Sequence, residues 1–117
     1  MQRDARAFLW DVRKSADAIA RYIGHRDRAG YLADDMLRSA VERQFEIIGE
    51  ALNQLSRLDP DIANRIPELG SAVAFRNILI HGYTQVDSMI VWETITDHLP
   101  ALRNRVAALL AELDAAS

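Results

Sequence analysis

Apolar residues recur every three or four positions along almost the whole chain, the spacing of a helix face rather than of a strand. Ala5, Phe8, Val12, Ala16, Ile19 and Ile23 form one stripe and predict a first helix that ends near His25. The run His25-Arg26-Asp27-Arg28-Ala29-Gly30 is a polar break. A second helix is predicted over 34–57, with Leu37, Val41, Ile48, Leu52 and Leu55 turned inward. Gly49 sits inside it at a cost of about 1 kcal/mol relative to alanine. The expected compensation is close approach of another backbone at that point.

Asp59-Pro60 and Ile66-Pro67 bound a connecting piece, because proline disfavours helical geometry in the residue before it. A third, shorter helix is predicted over 71–81, with Gly82 as a left-handed cap. A fourth segment starts near Asp87, a good N-cap, and carries Ile90, Ile95, Leu99, Leu102, Val106, Leu109 and Leu113. Pro100 should kink or split it, since proline removes a helical hydrogen bond and crowds the preceding turn. No strand-like alternation of useful length occurs. The expected fold is all-α, a four- to five-helix up-and-down bundle forming a single domain over 1–117.

Composition narrows the class. Half of the 117 residues are hydrophobic, enough for a packed core, yet no apolar run approaches the ~20 residues of a membrane span. The start, Met1-Gln2-Arg3-Asp4, mixes charges and has no signal-peptide core, so a cytoplasmic location without a membrane partner is expected. The absence of cysteine rules out disulfides and thiolate chemistry. A net charge of −3 disfavours general coating of nucleic acid and leaves room for a local site. Nearly all the basic residues are arginine, which suits phosphate recognition, although a compositional bias that also yields many alanines is the better account of most of them.

Candidate chemistry is concentrated in Arg76-Asn77-Ile78-Leu79-Ile80-His81-Gly82-Tyr83, an R-x4-H-x-Y pattern. Arginine is a permanently charged, forked phosphate clamp, and histidine moves protons near neutral pH. Five residues turn a helix through about 500°, so Arg76 and His81 would point about 140° apart with ~7.5 Å of rise between them. A site using both needs an irregular helix end, or a second copy of the chain to bring its own pair across. The negative end of the helix dipole favours imidazolium at His81, a proton donor, and Arg76 must offset the same field's repulsion of phosphate. Tyr83 places a phenol just past the helix, able to donate, accept or be modified. Glu46, Glu50 and Asn53 share one face of the second helix, either as a solvated face or with Glu50 orienting Arg76 through a salt bridge. Two carboxylates without a partner histidine are a poor ligand set, so no metal is expected there. His25 and His98 lack such context and read as surface or capping residues.

Taken in order, Ile47-Ile48-Gly49-Glu50-Ala51, Arg76-Asn77 through His81-Gly82-Tyr83, Val86-Asp87, Val91-Trp92 and Leu99-Pro100-Ala101-Leu102 resemble the HepT-like toxins of the HEPN superfamily. The similarity runs from about residue 5 to residue 113, with no departure from the motif that would suggest an inactive member. The resemblance implies a homodimer with a composite cleft and a metal-independent endoribonuclease that serves as the toxin of a toxin–antitoxin system. It implies Arg76 and His81 as catalytic residues on an RNA substrate, with no cofactor for cleavage and no DNA partner. It also implies a neighbouring minimal nucleotidyltransferase, MntA, which uses ATP and Mg to transfer AMP onto the motif tyrosine, here Tyr83. Asn77 could add a hydrogen bond to phosphate or be a helix-surface residue. The alternative function is a non-enzymatic helical binding module that docks a nucleotidyltransferase or a nucleotide. Such a module needs Tyr83 and a partner surface, but not Arg76 and His81 acting together.

Overall fold

Five aspartates open helices in this chain. Asp4, Asp27, Asp34 and Asp59 each accept a hydrogen bond from the backbone N–H three residues on, and Asp87 from the one two residues on, at 2.9–3.1 Å. Such caps satisfy orphan donors of the first turn, and replacing one with alanine costs ~1 kcal/mol. Five of the chain's 17 acidic residues are therefore committed to starting helices. The computed structural model describes residues 3–82 and 86–116. Its elements are α1 (Ala5–Ile23), α2 (Arg28–Leu32), α3 (Asp35–Leu58), α4 (Pro60–Ala63), α5 (Leu69–His81), α6 (Ser88–Glu93), a π turn (Thr94–His98) and α7 (Leu99–Ala116).

The fold is all-α, as the periodicity predicts. α3 lies at the centre, with α1 along one side, α5 along the other, and α7 packed on α1. Leu9, Val12, Ala16 and Ile19 of α1, Val41, Ile48, Leu52 and Leu55 of α3, and Leu102, Val106 and Leu109 of α7 are buried in one continuous core. Two short helices were not foreseen. α2 occupies part of the expected polar break, starts on Asp27 and buries Tyr31 completely, its ring 5.5 Å from that of Trp92. Burial, helped by nearby Glu42, pushes the Tyr31 phenol well above its usual ionisation range. α4 occupies part of the expected connecting piece, with Asp59 as cap and Pro60 in the first turn, where proline's missing N–H costs nothing.

The last segment is interrupted as Pro100 leads one to expect, by a π turn that lies just ahead of the proline. In the π turn the Leu99 N–H reaches back five residues to the Thr94 carbonyl. Widening there relieves the crowding a proline ring imposes on the turn before it. Threonine hydroxyls back-bond to preceding carbonyls, Thr94 to Ile90 at 2.8 Å and Thr96 to Trp92 at 3.2 Å. The expected inward position Ile90 is instead exposed, and its neighbour Val91 is buried. Among the described residues no helix is long and apolar enough to cross a membrane.

Candidate functional site

α5 is apolar nearly all the way round, yet Leu79 is its one buried residue among those described. Of the other helices, its main contact is α3. That contact is unusually close at Gly49. A Cβ built on Gly49 would lie 2.2 Å from the Arg76 Cβ and 2.9 Å from the Ala72 carbonyl oxygen. Glycine is thus what lets the stem of Arg76 lie against α3, and the close approach expected from the sequence is present.

Arg76 is partly buried on this inner side. Its guanidinium lies 2.7 Å from Glu50 and donates to the Asn77 side-chain oxygen at 2.8 Å. Glu50 also accepts from Gln54 at 3.1 Å, so the carboxylate that holds the arginine is itself held. The Arg76 Nε is shielded from solvent and has no hydrogen-bond partner among the described residues. A charge-assisted network of this kind fixes a guanidinium while leaving donor capacity for an anion. Glu46 does not join it, because Glu46 pairs with Arg43 at 3.1 Å.

His81 lies on the other side of the same helix. It is exposed and shares the outward face with Ala74 and Ile78, the latter 56% exposed. The helix stays regular through His81, so the separation of about 140° expected for R-x4-H persists within one chain. Gly82 ends the helix, but not as a left-handed cap: its φ is −90° and its N–H still bonds the Ile78 carbonyl at 2.7 Å. Glycine is needed there for room, since a Cβ would lie 2.5 Å from that carbonyl oxygen. Tyr83 lies outside the described residues. His25 is exposed, and His98 lies in the π turn.

Two clefts flank α5. On the Arg76 side is a shallow one of about 230 Å³, bordered by Arg3, Arg43, Glu50 and Ile80. On the other is an apolar groove of about 410 Å³ between α5, α3 and the π turn, with Phe45, Phe75, Ile78, Thr94 and Leu99 among its walls. Arg3 and Arg43 were not singled out from the sequence. Arg3 is tied to Asp11 at 2.7 Å, and nothing in their local pattern says that three helices bring them beside Arg76. Arg76, Asn77 and Glu50 are therefore brought together, and His81 is set apart from them. Chemically, the single chain offers a positioned anion clamp and, separately, an accessible imidazole beside an exposed apolar surface.

Known proteins resemble the chain over most of its length. The family described as "Ribonuclease HepT-like" matches residues 12–109. A protein of Methanocaldococcus jannaschii named provisionally as an RNase is 32% identical over 107 residues, covering 90% of this chain and 95% of its own. Another from the same organism, similarly named, is 29% identical over 115 residues and covers 97% of both chains. A protein of Thermococcus cleftensis named as a probable ribonuclease HepT is 30% identical over 113 residues, covering 93% of this chain and 98% of its own. No solved structure matches the chain.

Proposed function

The chain belongs to the HepT-like ribonuclease family, and from that premise we propose that it is an RNA-cleaving toxin whose Arg76 and His81 meet across a pair of chains. The observation that carries this reading is their placement on α5. Arg76 is clamped on the inner side, whereas His81 stands on the outer face beside exposed Ile78 and Ala74. Exposed apolar surface of this sort marks an interaction site. A second copy covering that face would bury Ile78 and bring the two histidines toward one cleft.

In such a cleft Arg76 binds the phosphodiester and stabilises the charge that builds on its oxygens as phosphorus becomes five-coordinate. His81 of one chain takes the proton of the ribose 2′-OH as that oxygen attacks phosphorus, and the partner's His81 protonates the departing 5′-oxygen. The 2′-O–P bond forms, the P–O5′ bond breaks, and the products are a 2′,3′-cyclic phosphate and a 5′-hydroxyl. Glu50 and Asn77 position the guanidinium. The chemistry needs no cofactor, so cleavage should persist in EDTA. Ile78→Glu tests the assembly, because it puts a charge in the shared face without touching Arg76. It should convert a dimer to a monomer in light scattering and lower cleavage at least tenfold, while circular dichroism stays helical and the melting temperature loses its dependence on protein concentration. A dimer that survives the substitution would place the interface elsewhere.

Regulation in this reading falls on Tyr83. A cognate MntA-like nucleotidyltransferase supplied with Mg and ATP transfers AMP to it: the phenol oxygen attacks the α-phosphorus, pyrophosphate leaves, and the proton passes to solvent. The support is positional, since Tyr83 follows His81 by two residues and an attached nucleotide would bring a phosphate into the cleft. Tyr31, being fully buried, is no competing acceptor. Tyr83→Phe should cleave RNA as wild type does but resist the transferase, with no added AMP in intact-mass spectra. An equal mass increment on both proteins, or on neither, would overturn the role of Tyr83.

A further inference from the structure

The outer face of α1 is basic and carries a large aromatic side chain with no place in the core. Trp10 is 54% exposed. Arg6, Arg13, Lys14 and Arg21 fall within about 60° of it around the helix axis, and all four are exposed. From Arg6 to Arg21 the stripe runs ~22 Å. The one acidic residue in it, Asp17, is neutralised by Arg103 at 2.7 Å. Arg13, Lys14 and Arg21 have no carboxylate partner among the described residues. Arg6 is braced on α7 by the Leu113 carbonyl at 3.1 Å and by Asp114 at 3.5 Å. Beside Trp10, between α1 and α7, lies a shallow cleft of about 340 Å³ walled by Ala7, Leu110 and Arg13 and by Asp4, which caps α1, and Asp114, which pairs with Arg6.

We propose that this stripe binds a single strand of the RNA substrate away from the cleavage cleft, with one base stacked on Trp10 and successive phosphates on Arg6, Arg13, Lys14 and Arg21. Single-strand sites combine a track of positive charge with aromatic faces on which bases stack, and both elements are present here. Free cations on one helix face are notable in a chain whose net charge is −3. A lipid surface fits less well, since an interfacial helix needs a broad apolar face and this one offers only Trp10 and Ala7. The proposal rests on the RNA-cleaving reading for its choice of polymer, and it adds a second contact region that would hold long substrates.

The test uses the full chain and a fluorescein-labelled 2′-O-methyl oligoribonucleotide of about ten residues, which lacks the attacking hydroxyl and stays intact. Anisotropy should report saturable binding that weakens about tenfold in Trp10→Ala. In the triple variant Arg13→Ala/Lys14→Ala/Arg21→Ala, the plot of log K against log salt should become shallower by about 2, as expected for three lost phosphate contacts. A merely structural role would not change that slope. All these side chains are exposed, so circular dichroism should match wild type. The proposal is overturned by no saturable binding, by unchanged affinity and slope in the variants, or by loss of anionic-vesicle binding while RNA binding is kept. Cleavage of ordinary RNA is scored separately. Wild-type cleavage with unchanged binding by the variants removes the stripe and leaves the nuclease reading; stripe-dependent binding without cleavage does the reverse.

Discussion

His81→Ala is expected to lower RNA cleavage by roughly 10²–10⁴-fold, the usual contribution of a positioned general acid or base. The imidazole is exposed at the end of α5, so its removal should leave the melting temperature nearly unchanged. Arg76→Ala should be as damaging to cleavage, and it should also cost stability, because the arginine stem lies against Gly49 and its head is bound to Glu50. Lysine at position 76 would keep the charge and lose the fork, so partial activity at most is expected of it. Cleavage and thermal melts of the variants beside wild type, all in EDTA, provide the measurement. Activity that persists in both alanine variants would trace to another site or another protein, and the chain would then be a binding module.

Gly49→Ala is the second large effect, and its sign is the informative part. In an ordinary helix interior this change stabilises by about 1 kcal/mol. Here the new methyl would sit 2.2 Å from the Arg76 Cβ and 2.9 Å from the Ala72 carbonyl, and the backbone atom cannot swing away. Overpacking of this kind typically costs 1–3 kcal/mol, so α5 should be pushed off α3 and the melting temperature should fall by several degrees. Cleavage should drop with it, since displacement of α5 moves Arg76 away from Glu50. A rise in melting temperature would mean that the two helices are not in contact at this point.

Much of the fold was legible because it rests on strong local signals. The stripe from Val12 to Ile23 and the inward set Leu37, Val41, Ile48, Leu52 and Leu55 fixed two long helices, and all of these residues are buried or nearly so. The elements that escaped notice are too short to show periodicity. α2 and α4 are five and four residues long, and their real signals are single residues, Asp27 before a buried tyrosine and Asp59 before Pro60. At the site, the sequence left Glu50 open between a solvated face and a partner of Arg76, and the structure shows the pair; Gly49 signalled that another backbone comes close but not which one. The grouping of Arg3 and Arg43 beside Arg76 could not be read at all, because it depends on how α1, α3 and α5 are laid together. Gly82 misled for a different reason. Glycine past a helix usually signals a positive φ, but here it answers to crowding against the Ile78 carbonyl.

The π turn fits one more residue between α6 and α7 than an α-helical turn would. Val91, Ile95 and Leu99 are buried at intervals of four, a longer beat than the 3.6 of an α-helix, and the wider turn is what keeps them on one side. Take one residue out of 94–98 and an unbroken α-helix could form with α7 close to its present rotation, because the wide turn already absorbs about one residue more than an α turn does. Leu102, Val106 and Leu109 would still face α1. Loss of a second residue has no such slack to draw on and would turn them away by about 100°, so this stretch should tolerate a gap of one residue and not of two.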